Sequence, residues 1–188
     1  MGKVNRASIA NSLRRIVTGN TAEGKSTIIL DDGPQLQLGD NFPSGMHEIW
    51  TEILTQKLDS TDFSDQGKSS PAFSPDSDSV KVRWFEVRPI RSDSDFEKDK
   101  AITRTFFQDF GAEHQLRDQE GEPLMHQTES LDIVCLLSGK ASLVLNDDET
   151  RLSPGQGVIQ RGTEHTWRAH DEPALFLAVQ IGRKIATN

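Results

Sequence analysis

The last third of the chain carries five short runs of strand-forming residues at close intervals: Leu131 to Leu137, Ala141 to Leu145, Gly157 to Gln160, His165 to Ala169 and Leu175 to Ile181. Turn sequences separate nearly all of them, at Ser138-Gly139-Lys140, Asn146-Asp147-Asp148, Pro154-Gly155-Gln156-Gly157 and Asp171-Glu172-Pro173. Many short strands at that spacing point to an antiparallel sandwich or barrel, and closing the sheet removes its adhesive edges. The expected fold class is all-β.

The upstream half is less regular. Ile9, Leu13 and Ile16 recur at helical spacing between Ser8 and Ile16, with Asn5 or Ser8 as cap and Gly19 as stop, so a short helix is expected within a helical segment over residues 1–25. Ser26 to Leu30 reads as a strand ending in the turn Asp31-Asp32-Gly33-Pro34, and His47 to Leu54 and Val80 to Ile90 read as further strands. Residues 56–79 are rich in Ser, Asp, Gly and Pro and are expected to form an exposed, flexible loop. Ala101 to Phe110 fits either a strand or a short helix, and periodicity does not decide between them. A chain of 188 residues suits one domain spanning 1–188.

The charge balance narrows the partners. With 21 Lys and Arg against 29 Asp and Glu, the formal charge is −8, and no basic run is present to hold a phosphate backbone. Nucleic acid is therefore not an expected partner. The apolar runs are too short to cross a bilayer and the charged start has no apolar signal core, so a cytoplasmic protein without a membrane partner is expected. The single cysteine, Cys135, excludes an internal disulfide and reads as a small hydrophobe in the run Ile133 to Leu137.

Two segments carry a resemblance. Met125-His126-Gln127-Thr128-Glu129-Ser130-Leu131-Asp132, followed by six residues and Gly139, resembles the first motif of the cupin superfamily, in which two His separated by one residue precede a Glu and, six residues on, a Gly. Pro154-Gly155-Gln156-Gly157, leading through a strand and Gly162 to His165, resembles the second motif. The match covers residues 121–181. Leu13 to Gly19, Asp31-Asp32-Gly33 and Glu48-Ile49-Trp50 further resemble a branch of small bacterial and fungal cupins with Thr and Asp in the first motif. The resemblance implies a single-domain cupin double-stranded β-helix, a jelly-roll barrel, with a short N-terminal helix. Thr128 stands where many cupins have a second His, Asp132 where they have Glu, and Gln156 where they have a turn carboxylate; Gly121 lies one residue closer to the first His than is common. The full set of three His and one Glu is therefore not carried over.

In that fold His126 and Thr128 would share one face of a strand, with Asp132 following and His165 meeting them from the facing motif. His126, Asp132 and His165 suffice for a divalent metal (iron, zinc, manganese or nickel), with Thr128 orienting a bound water. The same side chains without metal form an acid–base set, and the sequence does not separate the two routes. Either serves lyase or isomerase chemistry on a small molecule, such as decarboxylation or dehydration, in secondary metabolite biosynthesis as the resemblance implies. A non-haem iron dioxygenase and a non-catalytic ligand-binding cupin are the alternatives. Arg161 is a candidate grip for a substrate carboxylate, or else part of an exposed salt bridge, and Trp50, Trp84 and Trp167 are candidate cavity walls. Phe106 and Phe107 read the same way, while His47, His114 and His170 read as surface or loop residues. The resemblance also implies a homodimer.

Overall fold

The computed structural model describes residues 13–34, 37–38, 44–68, 72–90, 96–117 and 122–186. They form β1 (Arg15–Asn20), β2 (Ser26–Asp32), β3 (Gln37–Leu38), β4 (Ser44–Ile53), β5 (Ser79–Val87), the helix α1 (Phe96–Asp109), β6 (Ser130–Ser138), β7 (Ala141–Val144), β8 (Glu149–Leu152), β9 (Gly157–Arg161), β10 (Thr166–Ala169) and β11 (Ala174–Gly182). The strands build a six-stranded antiparallel sheet in the order β3-β4-β5-β11-β6-β9, a three-stranded sheet β10-β7-β8, and the separate hairpin β1-β2. The expected all-β jelly roll is what the chain forms.

Strand alternation decides which side chains enter the space between the sheets. Along β6, Ser130, Asp132, Val134 and Leu136 are buried, and β11 buries Ala174, Phe176, Ala178 and Gln180 in the same phase. Pairing lines these residues up in rows across the large sheet. One row is apolar, with Met46, Phe85, Phe176 and Leu136 side by side; the next mixes Glu48 and Arg83 with Ala178, Val134 and Val158; the third is polar, with Thr51, Lys81, Gln180, Asp132 and Gln160. The small sheet closes the apolar end with Leu143, Trp167 and Ala169 packed on Phe176 and its neighbours. The interior thus grades from hydrocarbon to charge along the strands.

Several local readings change. Residues 15–20 are strand, and Ile16 is half exposed on β1; the rest of the expected N-terminal helix, through Ser12, lies outside the described residues. The β-branched run Ile16-Val17-Thr18 pairs with β2, with a register shift between Val17 and Thr18, and that pairing overrides a helical spacing. Ala101 to Phe110 is mostly helix, because Thr103, Phe106 and Phe107 are buried on one face of α1, where the two phenylalanines cluster with Met46 and Phe73. β8, with its exposed residues, had no signal strong enough to be read.

The stretch 56–79 is exposed from Gln56 to Ser64, but it is not simply a loop in solvent. Asp65 binds Arg15, a 3-10 turn follows over Gln66–Lys68, and Phe73 packs against Phe107 with ring centroids 4.4 Å apart. At the β6-to-β7 turn, Gly139 has φ +83°, and a Cβ there would come within 2.5 Å of the Pro173 carbonyl oxygen, so this motif glycine is required by geometry. No helix among the described residues is long and apolar enough to cross a membrane.

Candidate functional site

A cavity of about 80 Å³ opens between the sheets where the apolar and polar rows meet. His126 and His165 form part of its wall. They sit directly opposite one another, because the backbones of the two residues exchange hydrogen bonds of 3.0 and 2.9 Å as an isolated antiparallel bridge. Their ring centroids are 4.3 Å apart. The segments that carry them are tied at the surface: Arg117 binds both Gln127 Oε1, at 2.6 Å, and Glu164 Oε1, at 3.0 Å, and Gln127 Nε2 donates to the Gly162 carbonyl at 2.7 Å.

Each imidazole is oriented from behind. Nδ1 of His126 lies 2.8 Å from the Leu124 carbonyl oxygen and Nδ1 of His165 lies 2.9 Å from that of Thr163. A carbonyl accepts only, so both Nδ1 atoms carry hydrogen and the neutral rings present bare Nε2 lone pairs. Burial pushes His126 down to about 3, with the neighbouring His165 adding to the shift, and burial likewise pushes His165 down to about 4.

Asp132 lines the same cavity from β6. Its Oδ2 accepts from Gln180 Nε2 at 3.3 Å, and Oδ1 is buried with no hydrogen-bond partner among the described residues. Burial raises its pKa, opposed in part by the neighbouring Ser130 hydroxyl and the Gln180 amide. Beside it stands Arg83, a residue the sequence reading passed over. Its guanidinium reaches Glu48 Oε1 at 3.0 Å and donates to the carbonyls of Phe73 at 2.9 Å and Ala72 at 2.7 Å. Lys81 Nζ lies 3.6 Å from Glu48 Oε2, and burial lowers the lysine's pKa.

The expected metal set is not formed. Among the described residues no three His, Cys, Asp or Glu side chains are placed to hold a metal ion. The two imidazoles fit as ligands, with Nδ1 anchored and Nε2 free, but Asp132 does not join them as a third. Thr128 is fully buried, accepts from Ser130 Oγ at 2.9 Å and does not line the cavity, so it orients nothing there.

Of the candidate walls, Trp167 lines the cavity and Trp50 and Trp84 do not. On β5 the inward phase is Lys81, Arg83, Phe85 and Val87, which leaves Trp84 on the outer face; Trp50, paired with Val82, lies outside as well and donates to Glu52. Arg161 is exposed at the end of β9, outside the cavity lining. His47 is buried on β4, against the expectation of a surface residue, while His114 is exposed and His170 contacts Ser142 Oγ at 3.1 Å. Phe106 and Phe107 do reach the cavity, together with Phe73, which the loop reading missed. Nothing local marks Arg83 or Phe73: the more apolar phase of β5, Val80, Val82 and Trp84, is the outer one.

No family model matches the chain. Over 55 residues it is 47% identical to two proteins of Diaporthe leptostromiformis, phomopsin biosynthesis cluster protein C' and phomopsin biosynthesis cluster protein D, a stretch that covers 29% of this chain and 29% of each relative. The chain thus spans less than a third of the length of the curated relatives it matches. Among solved structures, a cupin-2 domain from Rhodospirillum rubrum aligns over 80% of this chain and 70% of its own, at 12% identity and a TM-score of 0.41. A cupin superfamily protein from Desulfitobacterium hafniense covers 55% and 67%, at 12% identity and 0.34. A DMSP lyase from Ruegeria pomeroyi covers 57% and 41%, at 16% identity and 0.34. This chain has a small cupin-type fold. Its own strand order and the His126–His165 bridge across the barrel carry that statement. In this fold the chemistry-bearing groups are two bare imidazole nitrogens, a carboxyl group and a partly paired guanidinium around one small cavity.

Proposed function

We propose that this cupin is an enzyme of small-metabolite biosynthesis that moves a proton on a small molecule held between His126 and His165, with a lyase or isomerase outcome. The observation that carries the reading is the pair of Nδ1-to-carbonyl hydrogen bonds, which leaves two Nε2 lone pairs beside the cavity. One imidazole takes a proton from the substrate. Asp132, whose burial favours the protonated form, supplies a proton to the oxygen where negative charge develops. Burial strongly disfavours an imidazolium here; it becomes tolerable when an enolate-like charge forms next to it, so the site favours the transition state over the resting state. The names of the two Diaporthe relatives, both from a biosynthesis cluster, support a pathway role.

The test is deuterium exchange into candidate hydroxy-carbonyl substrates in heavy water, followed by NMR, for the intact chain and for His126→Gln and His165→Gln. Loss of exchange by about 10²–10⁴-fold in either variant is the expected result. Exchange that persists in both variants overturns the reading and leaves a non-catalytic ligand-binding cupin. We also propose the homodimer as the working assembly, which light scattering on the intact chain checks.

A further inference from the structure

At its polar end the cavity holds more acceptors than donors. Asp132 Oδ1, Gln180 Oε1 and Arg83 Nε are buried without hydrogen-bond partners among the described residues, and all three residues line the cavity. His126 and His165 add two bare Nε2 atoms. The orientation of Gln180 is set by its own bond, since Nε2 donates to Asp132 Oδ2 and Oε1 is the atom left over. In the proton-transfer reading Asp132 holds a hydrogen, so the acceptors among these lining residues are Gln180 and the two imidazoles, and the donors are Arg83 Nε–H and the Asp132 carboxyl.

The guanidinium is a weak grip for an anion. Arg83 NH1 and NH2 are committed to the Phe73 and Ala72 carbonyls, the Met46 sulfur and Glu48, so only the single Nε–H remains and the two-pronged clasp of a carboxylate is not available. Glu48 already lies against the guanidinium at 3.0 Å and is shared with Lys81. Arg161, the cation the sequence offered for a carboxylate, is exposed outside the cavity. A bound carboxylate would set its lone pairs against those of two imidazoles and an amide oxygen, none of them with a hydrogen to give.

We propose that the cavity takes a small uncharged molecule that presents one or two hydroxyl hydrogens to His126, His165 and Gln180, with an oxygen toward the Asp132 carboxyl, and turns away a carboxylate or phosphate of the same size. The remaining wall is apolar, formed by Phe73, Phe85, Phe107, Leu124, Val134 and Trp167, and takes the hydrocarbon part. The volume of about 80 Å³ is well below the ~150 Å³ of a cavity that admits benzene, so the body is a short chain rather than a ring. The inference deepens the proton-transfer reading and rests on it for the reaction: dehydration or isomerisation of a hydroxy-carbonyl compound suits the site, and decarboxylation of an acid does not.

Matched probes test it by binding alone. Hydroxyacetone is compared with pyruvate, and 2-methylpropan-1-ol with 2-methylpropanoate, by saturation-transfer NMR and by titration of the protein's imidazole resonances near neutral pH. The hydroxyl compound of each pair should bind more tightly by about tenfold or more, and Gln180→Leu should reduce that preference by about fivefold. Equal binding, preference for the acid, or binding of neither member by the wild-type protein overturns the proposal, and none of these outcomes depends on whether the variant folds. The two readings fail separately. Preference for hydroxyl probes without histidine-dependent exchange removes the catalysis and keeps the ligand class, whereas histidine-dependent exchange on a carboxylate removes the ligand class and keeps the catalysis.

Discussion

Two arginines are buried among the described residues with their charge intact, Arg15 on β1 and Arg83 on β5, and they are met in different ways. Arg15 faces two carboxylates. Its Nε bonds Asp32 Oδ1 at 2.7 Å, NH1 and NH2 bond both oxygens of Asp65 at 2.8 and 2.6 Å, and NH1 also reaches the Ile49 carbonyl at 3.0 Å. Gly67 leaves room for this, because a side chain there would run into the guanidinium and the Ile49 carbonyl. Arg83 faces one carboxylate, shares it with Lys81, keeps Nε without a partner and lines the cavity. Both sites remove charge from water, which stabilises a fold only where every polar group is met. The fully met arginine fastens the 56–68 segment to the hairpin; the partly met one stands where a ligand would complete the set.

Breaking the complete site should cost most. Arg15→Met leaves Asp65 with the Gly67 amide, 3.0 Å from Oδ1, and the distant Lys68 ammonium, 3.8 Å from Oδ2, and strands the Ile49 carbonyl. Because Asp32 reaches solvent, the loss is placed at about 3 kcal/mol, near the low end for a broken buried pair, measured by denaturant unfolding. Hydroxyl-probe binding in the cavity should be unchanged. A loss under about 1 kcal/mol would remove the distinction between the two arginines.

Arg83→Met should cost less, about 1–3 kcal/mol, since Lys81 still faces Glu48 and the main loss is donors for the Ala72 and Phe73 carbonyls. Its second effect is on the cavity. Phe73 stands edge-on to His126, with centroids 5.1 Å apart, so loosening its carbonyl should weaken probe binding where Arg15→Met does not. Equal effects of the two variants on probe binding would merge the two sites into one structural network.

Acid should find the cavity before it finds the Arg15 site. An imidazole near 3 or 4 in the folded chain and near 6.5 when unfolded binds its proton first in the unfolded state, so stability falls as the pH drops below about 6.5. The slope approaches about 1.4 kcal/mol per pH unit for each ring. Asp132 works in the other direction: its raised pKa makes the folded state hold the proton, a contribution present at low pH and lost as the pH rises through the folded value. Asp65, held low by its bonds to Arg15, gives stability that is lost only below the ordinary carboxylate range. Denaturation midpoints should therefore decline from about pH 7 to pH 5 in the wild-type chain and less so in His126→Phe. A flat profile over that interval would put the imidazoles in water.

The contrast between the arginines also marks what the sequence could tell. The C-terminal hairpins were legible because turn residues and strand residues alternate there without long-range help, and the opposed histidines came with them. Arg83 was hidden by its own strand: Val80, Val82 and Trp84 look like an inward face, yet they lie outside, and the charged phase turns in because Glu48 on β4 and Asp132 on β6 are brought beside it by pairing. Ion pairs 35 or more residues apart in sequence leave no local signature. The same holds for Arg15, whose partner Asp65 sits in a stretch whose composition argued only for solvent exposure, and for Asp132, whose place as a third metal ligand was inferred from order along the chain and not from distance.

The neighbour of Arg15 provides the sharpest control. Arg14, the residue before β1, bonds both oxygens of Asp31 at 2.7 and 2.8 Å diagonally across the same hairpin, Asp31 itself being paired with Ile16. Its geometry is as good as that of the buried clamp, but both side chains stand in solvent, where water and salt screen the attraction and two long side chains must be ordered to hold it. Arg14→Ala should leave the denaturation midpoint unchanged within error at physiological salt. If it instead destabilises the chain as much as Arg15→Met, hydrogen-bond geometry and not burial sets the strength of these pairs, and the incomplete pairing of Arg83 would lose its meaning as the mark of a ligand site.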